Sequence, residues 1–287
     1  MSHNLKNPLL GAHMLISDGF DKAIEKGESI NCTAIQIFTK SNRQWRAKQI
    51  TEKEISDFKL AWKNSSVEVV IAHASYLINL ASPDKDIQKK SIEALAIELE
   101  RCEQLGIPYL VLHPGSSLES SIQDALLIVA ENIDNALEQI STKTNILLET
   151  MAGQGSSLGK TFEQLAEIRK HIKHKEKIGF CFDTCHAFAA GYDFSNPKSY
   201  KIMWKHFDDV LGLANLKAIH VNDSKFDQGS QKDRHENIGK GKIGIEAFRL
   251  IMNDKNLINV PKILETPKDK DLKEDQINLK TLKKLIV

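Results

Sequence analysis

Six short apolar runs of the 287-residue chain each lead into a side chain able to bind a metal ion. Ile71-Ala72 leads to His73, Val111-Leu112 to His113, Leu147-Leu148 to Glu149, Cys181-Phe182 to Asp183, Ile219 to His220 and Leu264 to Glu265. Any one of these alone is an ordinary helix cap or loop residue, since such residues commonly follow strands. Six in succession is a different observation, because acids gathered without compensation are expensive to bury. Cations placed among them offset that cost. The pattern therefore predicts a polynuclear metal site.

Two further clusters extend it. His186 follows Asp183 by three residues, so one turn of chain can address two neighbouring ions, and Asp233-Arg234-His235 offers a carboxylate and an imidazole two residues apart. The tally is five histidines and four carboxylates, a donor set that suits Zn²⁺, with Mn²⁺ or Fe²⁺ as alternatives. At roughly three protein ligands per ion, with one bridging carboxylate, nine side chains serve about three ions. Such clusters favour displacement at phosphorus, the metals stabilising attacking and leaving oxygens. Metal-dependent phosphoester hydrolysis is the leading chemistry. Cys181 and Cys185 are four residues apart, the wrong spacing for a zinc knuckle, and read as packing residues. Gly153-Gln154-Gly155-Ser156-Ser157-Leu158-Gly159-Lys160-Thr161 resembles a nucleotide phosphate loop, but Gln154 stands where that pattern needs glycine. It reads as a loop beside the site.

The elements that must position these groups follow from periodicity. Apolar runs near Leu9–Ala12, Thr33–Phe38, Val67–Ala72, Tyr109–Leu112, Ile146–Leu148, Ile178–Phe182, Ala218–Ile219 and Lys262–Leu264 have strand length and no alternation, as strands buried on both faces should. Helical spacing lies between them: Ile92, Leu95, Ala96, Leu99 and Cys102, stopped by Gly106 and Pro108; then Ile122, Ala125, Leu126, Val129, Ile133 and Leu137; then Thr161 through His171. Eight strands alternating with helices predict a TIM (β/α)8 barrel, whose strand ends converge on one mouth. A doubly wound open sheet is the alternative, but Leu10-Gly11-Ala12-His13 offers a single glycine after the first strand. Residues 1–287 are expected to form one domain, with 1–8 a short extension and 268–287 a closing helix.

Composition limits the function classes. Lys and Arg number 39 against 38 Asp and Glu, a formal charge of +1, which argues against a polyanion binder acting through bulk basicity. Hydrophobic residues at 41% exclude a disordered or fibrous chain. Four cysteines without a C-x-x-C pair fit a reducing compartment. The N-terminus lacks the apolar run of a signal peptide, and no window approaches the ~20 apolar residues of a membrane span. The expectation is a soluble, cytoplasmic, monomeric enzyme.

Longer segments resemble the endonuclease IV family of abasic-site endonucleases. They are Phe38-Thr39-Lys40-Ser41-Asn42-Arg43-Gln44-Trp45, His73-Ala74-Ser75-Tyr76-Leu77-Ile78-Asn79-Leu80, His113-Pro114-Gly115-Ser116 and Glu149-Thr150-Met151-Ala152-Gly153-Gln154-Gly155. Asp183 to Asp193, a distinctive stretch, His220 to Lys225, Asp233-Arg234-His235 and Leu264-Glu265-Thr266-Pro267 continue the match in the same order. The resemblance implies a TIM barrel with three zinc ions. His73 and His113 would hold the first, Glu149 would bridge it to the second, and Asp183, His220 and Glu265 would complete the second. His186, Asp233 and His235 would hold the third. It also implies hydrolysis of the phosphodiester 5′ to an abasic site in duplex DNA, leaving a 3′-hydroxyl, and removal of blocked 3′ ends. Water activated at the metals would be the nucleophile, with Glu149 the catalytic bridge. Arg43, Tyr76 and Leu77 correspond to side chains that enter the minor groove and open the stack.

Departures from the family pattern are few. Ala74 follows His73 where an acid also occurs, which alters the hydrogen bonding around the ligand. Glu236 sits beside His235, and Lys240, within Gly239-Lys240-Gly241, occupies a position where an acid is familiar and is a candidate phosphate contact, as are Arg234 and Lys225. His13, His171, His174 and His206 read as non-ligands. Two other classes stay open: a metal-dependent sugar isomerase or epimerase on a related barrel, which needs one or two ions, and a DNA-damage binder that does not cut.

Overall fold

The apolar runs form eight parallel strands that close on themselves. The computed structural model describes residues 8–269 and 271–287. Most of the expected N-terminal extension, Met1–Asn7, lies outside the described residues. In chain order the barrel strands are β1 (Leu10–Met14), β2 (Ala34–Phe38), β3 (Val69–His73), β4 (Tyr109–Leu112), β5 (Asn145–Glu149), β6 (Ile178–Asp183) and β7 (Leu216–His220). A short antiparallel pair, β8 (Asp223–Ser224) and β9 (His235–Glu236), interrupts the alternation before β10 (Lys262–Leu264). The closed order is β1-β10-β7-β6-β5-β4-β3-β2, with every neighbour parallel.

Helices α1 (Phe20–Ser29), α2 (Glu52–Asn64), α3 (Lys85–Leu105), α4 (Ile122–Leu137), α5 (Phe162–His171), α6 (Thr184–Ala190), α7 (Pro197–Leu211), α8 (Ile245–Asn253) and α9 (Lys273–Lys284) occupy the crossovers and close the chain. Their starts are chemically marked. Thr51 and Glu54 make a reciprocal capping box at α2, and Asp84, Ser121 and Thr161 cap α3, α4 and α5. Gly106, with φ of 77°, ends α3 in the left-handed conformation that glycine adopts without a Cβ penalty.

Two apolar clusters divide the interior. The larger fills the space between barrel and helices. The smaller contains one residue for each barrel strand: Leu9, Ala34, Ile71, Val111, Leu147, Cys181, Ala218 and Ile263. These side chains fill the lumen. Gly11 lies on this inward face, where a Cβ would collide with the Ala34 carbonyl of the neighbouring strand. No described helix is long and apolar enough to cross a membrane.

Candidate metal centre

Side chains two residues apart on a strand share a face. Adding two to each lumen residue gives Ile71 to His73, Val111 to His113, Leu147 to Glu149, Cys181 to Asp183, Ala218 to His220 and Ile263 to Glu265. The six strand-end ligands are therefore the next layer of the barrel interior, at its C-terminal mouth. The same rule takes Ala34 to Gln36, and on β1 two such steps lead from Leu9 past Gly11 to His13, so Gln36 and His13 join the six at this end. Sequence reasoning named His13 only to set it aside and missed Gln36.

Glu149 stands at the centre of the layer with no solvent exposure. Its Oε2 lies 3.2 Å from His73 Nε2 and 3.1 Å from His113 Nε2. Its Oε1 lies 2.9 Å from His220 Nδ1 and 3.3 Å from His186 Nδ1. On the far side of His220, Glu265 Oε2 is 3.1 Å from the same Nδ1. Burial alone would push the Glu149 carboxyl up, yet His220 and His113 hold it well below the usual carboxylate range. Glu265 is held down in the same way against burial, by His220 and then His13. In return His220 and His186 are raised well above the ordinary imidazole value against the opposing effect of burial, His220 by Cys181 and Glu265, His186 by Asp183 and Asp233. The acids thus favour the charged imidazoles, a compensation that bound divalent cations would supply instead.

The outer nitrogens fix which ring atom faces the cluster. His73 Nδ1 donates to the Ala74 carbonyl at 2.7 Å, His186 Nδ1 to the Thr150 carbonyl at 2.9 Å and His235 Nδ1 to the Glu265 carbonyl at 3.0 Å. His220 Nε2 donates to Gln36 Oε1 at 2.8 Å, and the Gln36 amide donates to Glu265 Oε1 at 2.6 Å and His13 Nδ1 at 2.9 Å. Such outer contacts orient metal-binding imidazoles. At Ala74 the backbone carbonyl serves where the family pattern offers an acid.

Asp183 is a helix cap and a candidate ligand at once. Its Oδ1 caps α6 by accepting from the His186 amide at 2.8 Å, which sets His186 one turn away. Its Oδ2 accepts from Asn222 Nδ2 at 2.7 Å and lies 3.8 Å from His220 Nδ1 and 3.6 Å from His235 Nε2. The β8–β9 pair brings in the remaining ligands. Asp233 Oδ1 lies 3.1 Å from His186 Nε2 and 3.5 Å from His235 Nε2. Burial would raise the Asp233 carboxyl, but His186 holds it at about 2. Gln154, the residue that spoils the nucleotide-loop pattern, accepts from the Asp233 amide at 3.1 Å, so that loop braces this edge of the site.

The donors fit a cluster of divalent cations. His186 Nε2 and His235 Nε2 are buried without a hydrogen bond, although an acid faces each. Ligand atoms of His73, His113 and Glu149 gather within 4.8 Å of one another, as do those of Glu149, Asp183, His220 and Glu265. A third region divides into Asp183-His186-His235 and Cys185-Asp233-His235. Glu149 is thus common to two groups and His235 to two others. Cys185 donates to the Arg234 carbonyl at 3.6 Å, and burial pushes its thiol up to about 12. Cys181 lies in the lumen beneath the ligand layer.

The expected DNA-facing residues surround this mouth. Tyr76 is 55% exposed, and its ring centroid stands 5.2 Å from that of His73 and 5.4 Å from that of His113. Arg43 and Arg234 are exposed and Leu77 is half-buried. Lys240 faces Glu274 of α9 at 3.7 Å, so the candidate phosphate contact is already engaged by an acid. His171 and His206 pair with Glu167 and Glu163 on the helical layer. His174 faces Glu176.

Comparison with known proteins agrees with this geometry. Residues 24–285 match the model of the xylose isomerase-like TIM barrels. A protein of Chloroflexus aggregans named probable endonuclease 4 is 48% identical over 280 residues, covering 97% of this chain and 98% of the relative. The crystal structure of endonuclease IV from Thermus thermophilus superposes with a TM-score of 0.86 at 33% identity, covering 97% and 98% of the two chains. A D-psicose 3-epimerase from Clostridium cellulolyticum shares the fold, with a TM-score of 0.65 at 14% identity over 96% and 98% of the two chains.

Proposed function

The chain belongs to the endonuclease 4 family of xylose isomerase-like TIM barrels, and from that premise we propose that it is a zinc-dependent endonuclease for abasic sites in duplex DNA. The reaction is hydrolysis of the phosphodiester 5′ to the lesion, leaving a 3′-hydroxyl; removal of 3′ blocking groups is the same chemistry at a strand end. One observation carries the reading: Glu149 belongs to two ligand groups at once, and a further set of ligands lies beside them. A sugar isomerase or epimerase of this fold needs one or two ions and has no use for His186, Asp233 and His235.

Bound divalent ions would lower the pKa of a water and neutralise charge on the scissile phosphate. His73, His113 and Glu149 would hold the first; Glu149, Asp183, His220 and Glu265 the second; His186, Asp233 and His235 the third. Glu149 would serve both of the first two groups as the catalytic ligand, its position set by four surrounding imidazoles. Gln36, through His220 and Glu265, and Thr150, through His186, orient the rings. Arg43 follows the minor groove while Tyr76 and Leu77 occupy the space left by an extruded nucleotide, an arrangement that favours a duplex already lacking a base. All nine ligands come from one chain, which supports action as a monomer with residues 1–287 as one domain. The four cysteines are free and buried, which supports a reducing, cytoplasmic setting.

Metal analysis of the purified chain tests the site assignment. The reading expects about three zinc ions per chain. A value near one would contradict the assignment of nine ligands to three ions.

A further inference from the structure

The proposed DNA-probing residues sit on two separate loops. Arg43 lies between β2 and α2, and Tyr76 and Leu77 lie between β3 and α3. One buried group joins these loops from behind. Glu98, on the inner face of α3, is 1% exposed; its Oε1 accepts from the Ser75 amide at 3.0 Å and faces Lys40 Nζ at 3.4 Å. Lys40, itself buried, donates to the Gln44 carbonyl at 2.8 Å. Ser75 Oγ donates to the Asn42 carbonyl at 2.9 Å and accepts from the Leu77 amide at 3.3 Å. One turn further along α3, Arg101 donates to the carbonyls of Thr39 and Lys48.

Apart from Glu98, the contacts of Lys40 and Ser75 therefore reach a probing residue or its neighbours: Asn42 and Gln44 enclose Arg43, and Ser75 precedes Tyr76 and accepts from the Leu77 amide. Neither Glu98 nor Lys40 makes a hydrogen bond or ion pair to any of the nine metal-site side chains. A buried carboxylate–ammonium pair is a poor source of stability, since desolvation consumes much of the attraction. Well-packed apolar side chains would fill the same volume at less cost. What the pair supplies is direction, tying one loop to the other at a fixed separation.

We propose that the Glu98–Lys40 pair is a positioning strut that locks the two probing loops into one register, so that Arg43 and Tyr76-Leu77 meet the duplex as a single preformed surface. This rests on the reading of those three residues as DNA contacts. A preformed surface spares the ordering cost at binding, so its loss raises KM and leaves kcat in place.

The test uses the metal-loaded full-length chain, with Glu98→Gln and Lys40→Met as variants from opposite ends of the strut. Steady-state incision of an abasic duplex is read below each variant's melting temperature, with zinc content measured in parallel. The expected result is KM raised about tenfold, kcat within about twofold and zinc unchanged, with Lys40→Arg restoring much of the loss. A merely structural role lowers the melting temperature without a KM shift in the folded protein, and that outcome overturns the proposal. Arg43→Ala and Tyr76→Ala run alongside. If they leave KM unchanged, the underlying DNA-contact reading fails; if they raise it while folded Glu98→Gln does not, the strut alone fails. Combining Glu98→Gln with Tyr76→Ala should add little to Tyr76→Ala, whereas full multiplication of the two effects contradicts a strut acting through that loop.

Discussion

Replacing Glu149 by glutamine removes one negative charge and keeps the shape of the side chain. Four imidazole nitrogens lie between 2.9 and 3.3 Å of its two oxygens, so the change falls on several ligands at once. Ligand arithmetic sets the size of the effect. Without a charged bridge the first group keeps only His73 and His113, fewer than the three protein ligands of a typical catalytic zinc. The second keeps Asp183, His220 and Glu265, and His186, Asp233 and His235 are untouched. Zinc should fall by about one ion per chain. One ion supplies several kcal/mol of transition-state stabilisation, so a loss of about 4–6 kcal/mol, or roughly 10³–10⁴ in kcat, is expected. Single-turnover incision with saturating enzyme, read beside zinc content and far-UV circular dichroism, isolates the chemical step from binding and from folding. A folded Glu149→Gln protein with its full zinc complement and turnover within about tenfold of the parent would refute the bridging role.

Other perturbations separate recognition, charge and stability. Tyr76→Ala should raise the dissociation constant for an abasic duplex about tenfold and leave zinc unchanged, because the ring packs against His73 and His113 without hydrogen-bonding to them; a parallel loss of zinc would make it a support for the ligands. Chelation should weaken DNA binding as well as abolish catalysis, since the proposed three divalent ions would lift the formal charge from +1 to about +7 at one mouth; equal affinities of metal-free and loaded protein by fluorescence anisotropy would contradict this. Lys262 is buried at the start of β10, donates to the Leu257 and Val260 carbonyls, and is pushed by burial from the ordinary lysine value of 10.5 to about 8. Between those two values the unfolded chain holds the proton that the folded chain has released, so stability relative to Lys262→Met should climb by up to about 3 kcal/mol as pH rises through that window. A flat difference in denaturant titrations across it would show that Lys262 titrates normally.

The barrel was legible because strands buried on both faces read as unbroken Val, Ile and Leu. Tyr109–Leu112 and Lys262–Leu264 match the structure residue for residue, and the other runs are off by one or two positions at an end. The gathering of the candidate ligands was legible for a related reason: polar side chains end the apolar runs abruptly. Gln36 escaped because an amide inside Ala34-Ile35-Gln36-Ile37 carries no charge, although its place two residues after a lumen residue was a usable signal. The first apolar run stops at Ala12, whereas β1 continues through His13 to Met14 and pairs His13 with Gln36. Helices α1, α2 and α7 went unread, although Tyr200, Met203, Trp204, Phe207 and Leu211 keep helical spacing along α7, and the Thr51-x-x-Glu54 box and Asn196-Pro197 mark two of the starts. The closing helix begins at Lys273 and ends at Lys284, earlier at its C-terminal end than the expected run to Val287. Nothing local announces the two-residue strands that carry His235. Asp233 and His235 were found through their residue types, and their meeting with His186 is a tertiary fact.

Incision of a duplex with one abasic site, followed by identification of the new ends, addresses the whole account at once. The metal-loaded chain should cut the damaged strand immediately 5′ to the lesion and leave a 3′-hydroxyl that a DNA polymerase extends without further processing. Tight binding to that duplex by a fully zinc-loaded protein, with no strand cut, would contradict it.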